Sequence, residues 1–241
     1  MPRFHCQIPL TVGAEIILPE AVAHHVQVLR LAPGDGITLF NGEGGEYAAI
    51  LTTVAKRQAR ALVQAFVPRE AELPYALTLA QALPEGAKMD WIIEKAVELG
   101  VAEVAPVAAR RSVVRLSAER VAKKLEHWQG INASAAEQCG RNRLTRLREP
   151  VAVEDWLAGC KVSSRILFSP RATQSLSDWV RGRAPQDLAI LIGPEGGLTE
   201  EEEAAALRHK FVALSLGPRV LRTETAGLAA VAAINAIWGQ M

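Results

Sequence analysis

From residue 74 onward, short apolar runs alternate with longer segments whose apolar positions recur three and four residues apart. "YALTLAQAL", "VAEVAPV", "RILFSP", "DLAILIGP" and "FVALSLG" read as buried strands. Between and after them, "KMDWIIEKAVELG" (88–100), "SAERVAKKLEHWQGINASAAEQCG" (117–140), "SLSDWVRG", "TEEEEAAALRHK" and "TETAGLAAVAAINAIWG" carry helical spacing. Strands without polar alternation need both faces covered, so this rhythm predicts an α/β fold with a mainly parallel sheet and helices on its faces.

The first seventy residues follow a different rhythm. After a short opening strand, "PEAVAHHVQVLRL" (19–31) places Val22, Val26 and Leu29 on one helical face, with Pro19 at its start. Short strands are predicted around 37–40, 46–54 and 59–67, separated by glycine-rich turns at 34–36 and 42–45. The expectation is a small β-rich, barrel-like module at 1–70. The segment "PREAELP" (68–74), with two prolines and three charged residues, is the predicted linker to a second domain at 74–241.

Composition narrows the function classes. The chain has 241 residues, 49% hydrophobic and 22% charged, enough for a sizeable core and too apolar for disorder. Lys+Arg is 27 against Asp+Glu 26, so any nucleic-acid surface must be local. Between residues 110 and 148 ten basic residues (Arg110, Arg111, Arg115, Arg120, Lys123, Lys124, Arg141, Arg143, Arg146, Arg148) face three acidic ones, a local balance of +7. That is the footprint of a phosphate-binding surface. Cys6, Cys139 and Cys160 are far apart and form no C-x-x-C, while "MPRFHCQIPL" lacks a signal-peptide core. No uncharged apolar stretch reaches membrane-spanning length. His24 and His25 are adjacent, face different ways and have no ligand cluster around them, so no metal site is expected. A cytoplasmic protein without membrane attachment fits this composition.

The stretch "LIGPEGGLTEEEE" (191–203) holds the first candidate chemistry. Its glycines follow a buried strand and precede a helix that Thr199 caps. Carboxylates at 200–203 favour the positive end of that helix and repel a phosphate, and G-P-E-G-G matches neither nucleotide fingerprint. Taken alone, the loop reads equally as a tight strand-to-helix turn. However, "LSLGPRVLRTETAGLAA" repeats the device at Gly217-Pro218. Two adjacent strands ending in Gly-Pro loops at the carboxyl edge of a parallel sheet would form a ligand crevice suited to a neutral or cationic nucleoside.

"LIGPEGGLTEEE" followed by "LSLGPRVLRTETAGLAAVAAINA" closely resembles the SPOUT-class RNA methyltransferases, and within that class the family that methylates N3 of a uridine in 16S ribosomal RNA. "HHVQVLRL", "GDGITLFNGEGGEYAA", "KMDWIIEKAVELGV" and "HWQGINASAAEQCGRNRL" extend the resemblance over nearly the whole chain, in order. It implies a PUA-like RNA-binding barrel at the N-terminus and a trefoil knot in the C-terminal domain. It also implies S-adenosyl-L-methionine as methyl donor, 16S rRNA of the small ribosomal subunit as partner, and a homodimer with the site near the subunit interface.

On that resemblance the donor's adenine and ribose meet backbone groups of Leu191, Ile192, Gly193, Gly196, Gly197, Leu214, Leu216, Gly217 and Leu221, with Glu195, Arg222, Thr223, Thr225 and Ala226 close by. Methylating a ring nitrogen requires loss of the N3 proton and stabilisation of charge on the flanking carbonyls. Arg222, a guanidinium in an irregular segment before an apolar helix, is the expected cationic stabiliser. Glu195 and Glu224 are candidates to orient the base or accept its proton. Glu195 reads equally as a carboxylate tying down loop amides, Glu224 as a helix N-terminal acid, and Thr223 and Thr225 as helix caps. Arg110, Arg111, Arg141 and Arg143, near predicted loops, are expected on the RNA surface together with Arg30 and the 41–45 turn. Trp91, Trp128 and Trp238 read as core or dimer-interface residues. Two alternatives remain at this stage: the same fold acting on a ribose 2′-hydroxyl, and a non-catalytic RNA-binding ribosome-assembly factor.

Overall fold

In the computed structural model, residues 1–114 and 118–241 are described. The N-terminal strands are Arg3–His5 (β1), Glu15–Ile17 (β2), Gly36–Phe40 (β3), Glu46–Ala55 (β4) and Gln58–Val67 (β5), with one helix, Glu20–Val28 (α1), between β2 and β3. They form a sheet in the order β1-β3-β4-β5-β2, in which β1 runs parallel to β3 and the other neighbours are antiparallel. Val22, Ala23 and Val26 of α1 join Phe4, Ile37, Leu39, Leu51 and Ala61 in one buried cluster. Among the described residues no ladder joins β1 to β2, so the expected barrel is an open strand path with three-residue strands at both edges. Register shifts at Ala48/Ala49 and Leu51/Thr53 mark bulges, which increase local twist.

The remaining elements are Leu77–Ala82 (β6), Lys88–Glu98 (α2), Glu103–Ala108 (β7), Ala118–Cys139 (α3), Arg146–Leu147 (β8), Val151–Ala152 (β9) and Val153–Gly159 (α4). They continue with Ser164–Phe168 (β10), Leu176–Arg181 (α5), Leu188–Ile192 (β11), Glu200–Arg208 (α6), Val212–Leu214 (β12) and Thr223–Ile237 (α7). Among the described residues the strands form a seven-stranded sheet ordered β12-β10-β11-β6-β7-β8, with β9 also on β7 and every pairing parallel. All five residues of β11 are buried, as an apolar run with helices on both faces requires. The strands at 146–147 and 151–152 and the helix after them have no counterpart in the apolar pattern, because two-residue strands show no period.

Strand order corrects one expectation. β11 and β12 are not neighbours, since β10 lies between them and pairs with both. The chain moves outward from β6 through β7 to β8, returns on the other side of β6 with β10, and then inserts β11 between β10 and β6. β10 therefore lies between the two Gly-Pro loops at the carboxyl edge, and the loop that leaves it joins them there.

Contacts group the chain into two units, Met1–Glu72 with Ala133–Leu144 and Leu73–Asn132 with Thr145–Met241. The first thus takes in residues 133–144, which the sequence rhythm places beyond the linker. Side-chain bonds explain why: Glu137 accepts from the His5 amide, Asn142 accepts from Arg3 at 2.6 Å, and Arg141 donates to Glu72 at 2.6 Å.

Buried polar groups in the second unit are paired across elements. Asn235 of α7, 2% exposed, donates to the Leu99 carbonyl at the end of α2 and accepts from the Tyr75 hydroxyl. It thereby satisfies one of the carbonyls that a helix C-terminus leaves open. Asn235→Ala strands both partners in a dry site, and should lower the unfolding free energy by about 2 kcal/mol. Urea denaturation reads this directly; an unchanged midpoint would show that the bonds carry no net stability.

Candidate active site

A cavity of about 570 Å³ opens where β10, β11 and β12 end. Three loops wall it: Ser169 and Pro170 after β10, residues 193–198 after β11, and residues 215–222 after β12. Phe168, Ile192, Leu198, Leu214, Leu216 and Leu221 supply apolar surface, and the glycines expose peptide groups. Gly197 (φ +68°) and Gly217 (φ +102°) hold left-handed backbone that a side chain would strain. At Gly193 the obstacle is space, since a Cβ would lie 3.0 Å from the Leu198 amide nitrogen.

One hydroxyl joins the elements around the cavity. Thr223, at the start of α7, donates to the Gly193 carbonyl at 2.6 Å and accepts from the Gln81 side-chain amide at 2.8 Å. Gln81 itself is fully buried in β6. Thr223 is therefore no cap of its own helix; the N-cap position belongs to Arg222, whose side chain makes no capping bond.

The N-terminus of α6 is closed to an anion. Thr199 and Glu202 form a reciprocal capping box, and Glu202, 1% exposed, also accepts from the Arg110 amide. Glu203 faces the cavity, where Ser169 donates to its Oε2 and Arg171 pairs with the same oxygen at 2.9 Å. The walls thus suit a nucleoside with hydrogen-bond donors or positive charge better than a phosphate.

Charges at the rim fall into two groups. Arg222 and Arg219 line the cavity and are exposed, and among the described residues neither guanidinium pairs with a carboxylate. Beside them Lys88, the first residue of α2, lies 2.7 Å from Glu195 Oε1 and 3.9 Å from Glu224 Oε2. The Glu85 amide donates to the same Glu195 oxygen. Burial pushes the Glu195 carboxyl up, but hydrogen bonds from Lys88 and backbone amides outweigh it and hold the group below its ordinary value. The bond to Glu195 holds the Lys88 ammonium above its ordinary value, and the charges of Glu195, Glu224 and Glu85 add to it.

The cavity brings together Ile192, Gly193, Glu195, Gly196, Gly197, Leu214, Leu216, Gly217, Leu221, Arg222, Thr223 and Ala226. Leu191 and Thr225 are not in its wall. Leu191 is fully buried in the cluster with Ala80, Val107 and Leu167, because alternate residues of a strand point to opposite faces, and Thr225 is exposed on α7. Sequence reasoning missed Ser169, Glu203, Arg219 and Lys88. "FSP" resembles the Gly-Pro loops in ending a strand at a proline, and Lys88 is a cation at the helix end where the dipole disfavours it; either could have been noticed.

The basic segment is largely neutralised from outside itself. Arg141, expected on the RNA surface, is buried and makes a two-pronged pair with Glu72 in the predicted linker, so it is structural. Arg143 pairs with Glu70, Arg146 and Arg148 share Glu103, and Arg110 lies near Glu154 and Glu201. Arg111 instead donates to the Gly196 carbonyl of the cavity loop, and Arg30 is exposed with left-handed backbone (φ 57°). Arg115 lies outside the described residues. Trp128 and Trp238 are buried whereas Trp91 is half exposed. Among the described residues no cluster could hold a metal ion, and no helix is long and apolar enough to cross a membrane.

Comparison with known proteins agrees over nearly the full length. Residues 71–235 match the RNA methyltransferase domain family and residues 18–64 the RNA methyltransferase PUA domain. The chain is 36% identical to ribosomal RNA small subunit methyltransferase E of Bacillus subtilis, over 91% of this chain and 88% of that protein. The structure of the Neisseria gonorrhoeae ribosomal RNA small subunit methyltransferase E bound to S-adenosyl methionine superposes with a TM-score of 0.91 at 38% identity, covering 99% of this chain and 98% of that one. A Legionella pneumophila protein in complex with the cofactor SAM gives 0.92 at 36% identity, covering 97% and 96%. With its PUA-like sheet and its parallel α/β domain, the chain belongs to the RNA methyltransferase family of the ribosomal RNA small subunit methyltransferases E.

Proposed function

We propose that this protein transfers a methyl group from S-adenosyl-L-methionine to N3 of a uridine in the 16S ribosomal RNA of the small ribosomal subunit, in the cytoplasm and as a homodimer. The observation that carries the reading is the cavity at the ends of β10, β11 and β12, with Arg222 exposed on its rim. Its volume lies in the range of small-molecule sites, its apolar residues suit an adenine, and its peptide groups and Glu203 suit a polar, cationic remainder. Family membership and the donor-bound relatives support the same choice.

When bound, S-adenosyl-L-methionine supplies a methyl group activated by its sulfonium. The chain's residues must then hold the uracil in line, receive the N3 proton and stabilise charge spreading onto the carbonyl oxygens. Arg222, always charged and, among the described residues, without a competing carboxylate, is the stabiliser. Glu195 and Glu224 orient the base or take its proton. Arg111, Arg219 and Arg222 receive the RNA backbone beside the cavity.

Two further features belong to this reading. The chain leaves β12 at the sheet's edge, yet Thr223 bonds to Gly193 after β11 and to Gln81 of β6. Such a return past β10 is what a threaded trefoil requires. Ala229, Ala232, Ala233 and Ala236 leave the outer side of α7 small and uncharged, so a second copy can approach closely.

Purified protein incubated with tritiated donor and small ribosomal subunits should label N3 of one uridine in 16S rRNA. Label on a ribose 2′-oxygen or in large-subunit RNA refutes the reading, and absence of donor binding would favour an assembly factor. Arg222→Ala should keep the donor Kd within about twofold while kcat falls by about 10²–10³; equal loss in both would make Arg222 a binding residue. Arg111→Ala should weaken RNA binding and reduce the slope of log K against log salt by about 1. An unchanged slope would mean Arg111 serves only the Gly196 carbonyl.

A further inference from the structure

Lys88 occupies a position that its own helix disfavours. It is the first residue of α2, whose N-terminus carries no side-chain cap, so its ammonium adds positive charge to the positive end of the helix dipole. Three carboxylates from three segments face it there. Glu85 comes from the loop that precedes α2, Glu195 from the loop after β11, and Glu224 from the first turn of α7. Two of these segments wall the cavity: Glu195 lines it directly, and Glu224 follows Arg222 and Thr223, which do.

The contacts are unequal. Glu195 Oε1 is hydrogen-bonded both to the ammonium, at 2.7 Å, and to the Glu85 amide. Glu224 Oε2 is buried and makes no hydrogen bond, and Lys88 ion-pairs with it at 3.9 Å. Without the ammonium, the two glutamates would confront each other, with Glu85 adjacent, across the junction of the β11 loop and α7. Among the described residues no cation of the cavity wall substitutes for it, because Arg219 and Arg222 pair with neither carboxylate. This is the same junction that Thr223 closes from the buried side by its bond to Gly193.

We propose that Lys88 is a positioning residue for the methyl donor: by bridging Glu195 and Glu224 it pins the β11 loop to the start of α7 and so keeps the donor cavity in its binding shape. This rests on the S-adenosyl-L-methionine reading of the cavity. Lys88 is not in the cavity wall, and it acts on affinity through the two carboxylates. The charge pattern therefore predicts a pH signature. In the native protein Glu195 is held ionised below its ordinary range, so the bridge persists above the usual carboxylate pKa and is lost only as pH falls through the depressed value. In Lys88→Met the clustered carboxylates lose their shared counter-ion, and acid relieves the repulsion.

The test is isothermal titration of S-adenosyl-L-methionine into the full chain at pH about 8 and about 5.5. Lys88→Met should weaken binding about five- to tenfold at the higher pH and regain most of that at the lower, while the native protein changes little. Lys88→Arg should stay near native affinity. The double variant Lys88→Met/Glu195→Gln, which removes one of the opposed charges, should recover affinity at the higher pH. It also serves if Lys88→Met alone folds poorly, since thermal melting of the pair shows whether charge or packing was lost. Native-like affinity of Lys88→Met at both pH values, a loss independent of pH, or no recovery in the double variant would overturn the proposal. Failure of the native protein to bind the donor would instead overturn the methyltransferase reading itself.

Discussion

The hydroxyl of Thr223 is the point through which the site is assembled. A hydroxyl offers one donor and two acceptor positions. Here the donor goes to Gly193, where β11 has just ended, and an acceptor position takes the buried Gln81 amide of β6. The start of α7 is thus fixed over the carboxyl edge of the sheet from two strands at once. Arg222 precedes this residue and Glu224 follows it, so their positions are inherited from the same two bonds. Glycine at 193 fits the same junction, because a Cβ there would lie 3.0 Å from the Leu198 amide nitrogen beside the carbonyl that Thr223 holds.

Around that knot of bonds the cavity is mostly backbone and hydrocarbon. Charged side chains near it are kept in place by specific partners: Glu203 by Arg171 and Ser169, and Glu195 by Lys88 and the Glu85 amide. Among the described residues Arg219 and Arg222 are left without carboxylate partners. Such a division suits an RNA methyltransferase: peptide groups and hydrocarbon select a ligand by shape, while guanidinium charge at the rim suits a substrate that brings phosphates.

The basic surface shows the opposite outcome. Arg141, Arg143, Arg146 and Arg148 each find a glutamate from elsewhere in the chain, and the Arg141–Glu72 pair is buried. A buried guanidinium with two bonds to one carboxylate is an element of architecture, since leaving either partner unpaired is costly. Arg111, by contrast, reaches the Gly196 carbonyl of the donor cavity.

Periodicity alone determined most of the elements. The buried run Leu188–Ile192, the amphipathic α2, the long α3 and the capped α6 all follow from local spacing and from the Thr199/Glu202 box, which are short-range properties of the chain. The motifs also carried the family, and with it the loops around Gly193 and Gly217. Only the tertiary structure decided strand order, which places β10 between the two glycine loops and adds Ser169 to the wall. It also decided which face of β11 each residue takes, removing Leu191 from the cavity, and which charges cancel. Those outcomes depend on partners distant in the chain, such as Lys88 with Glu195 or Glu72 with Arg141, and a one-dimensional charge count has no term for them.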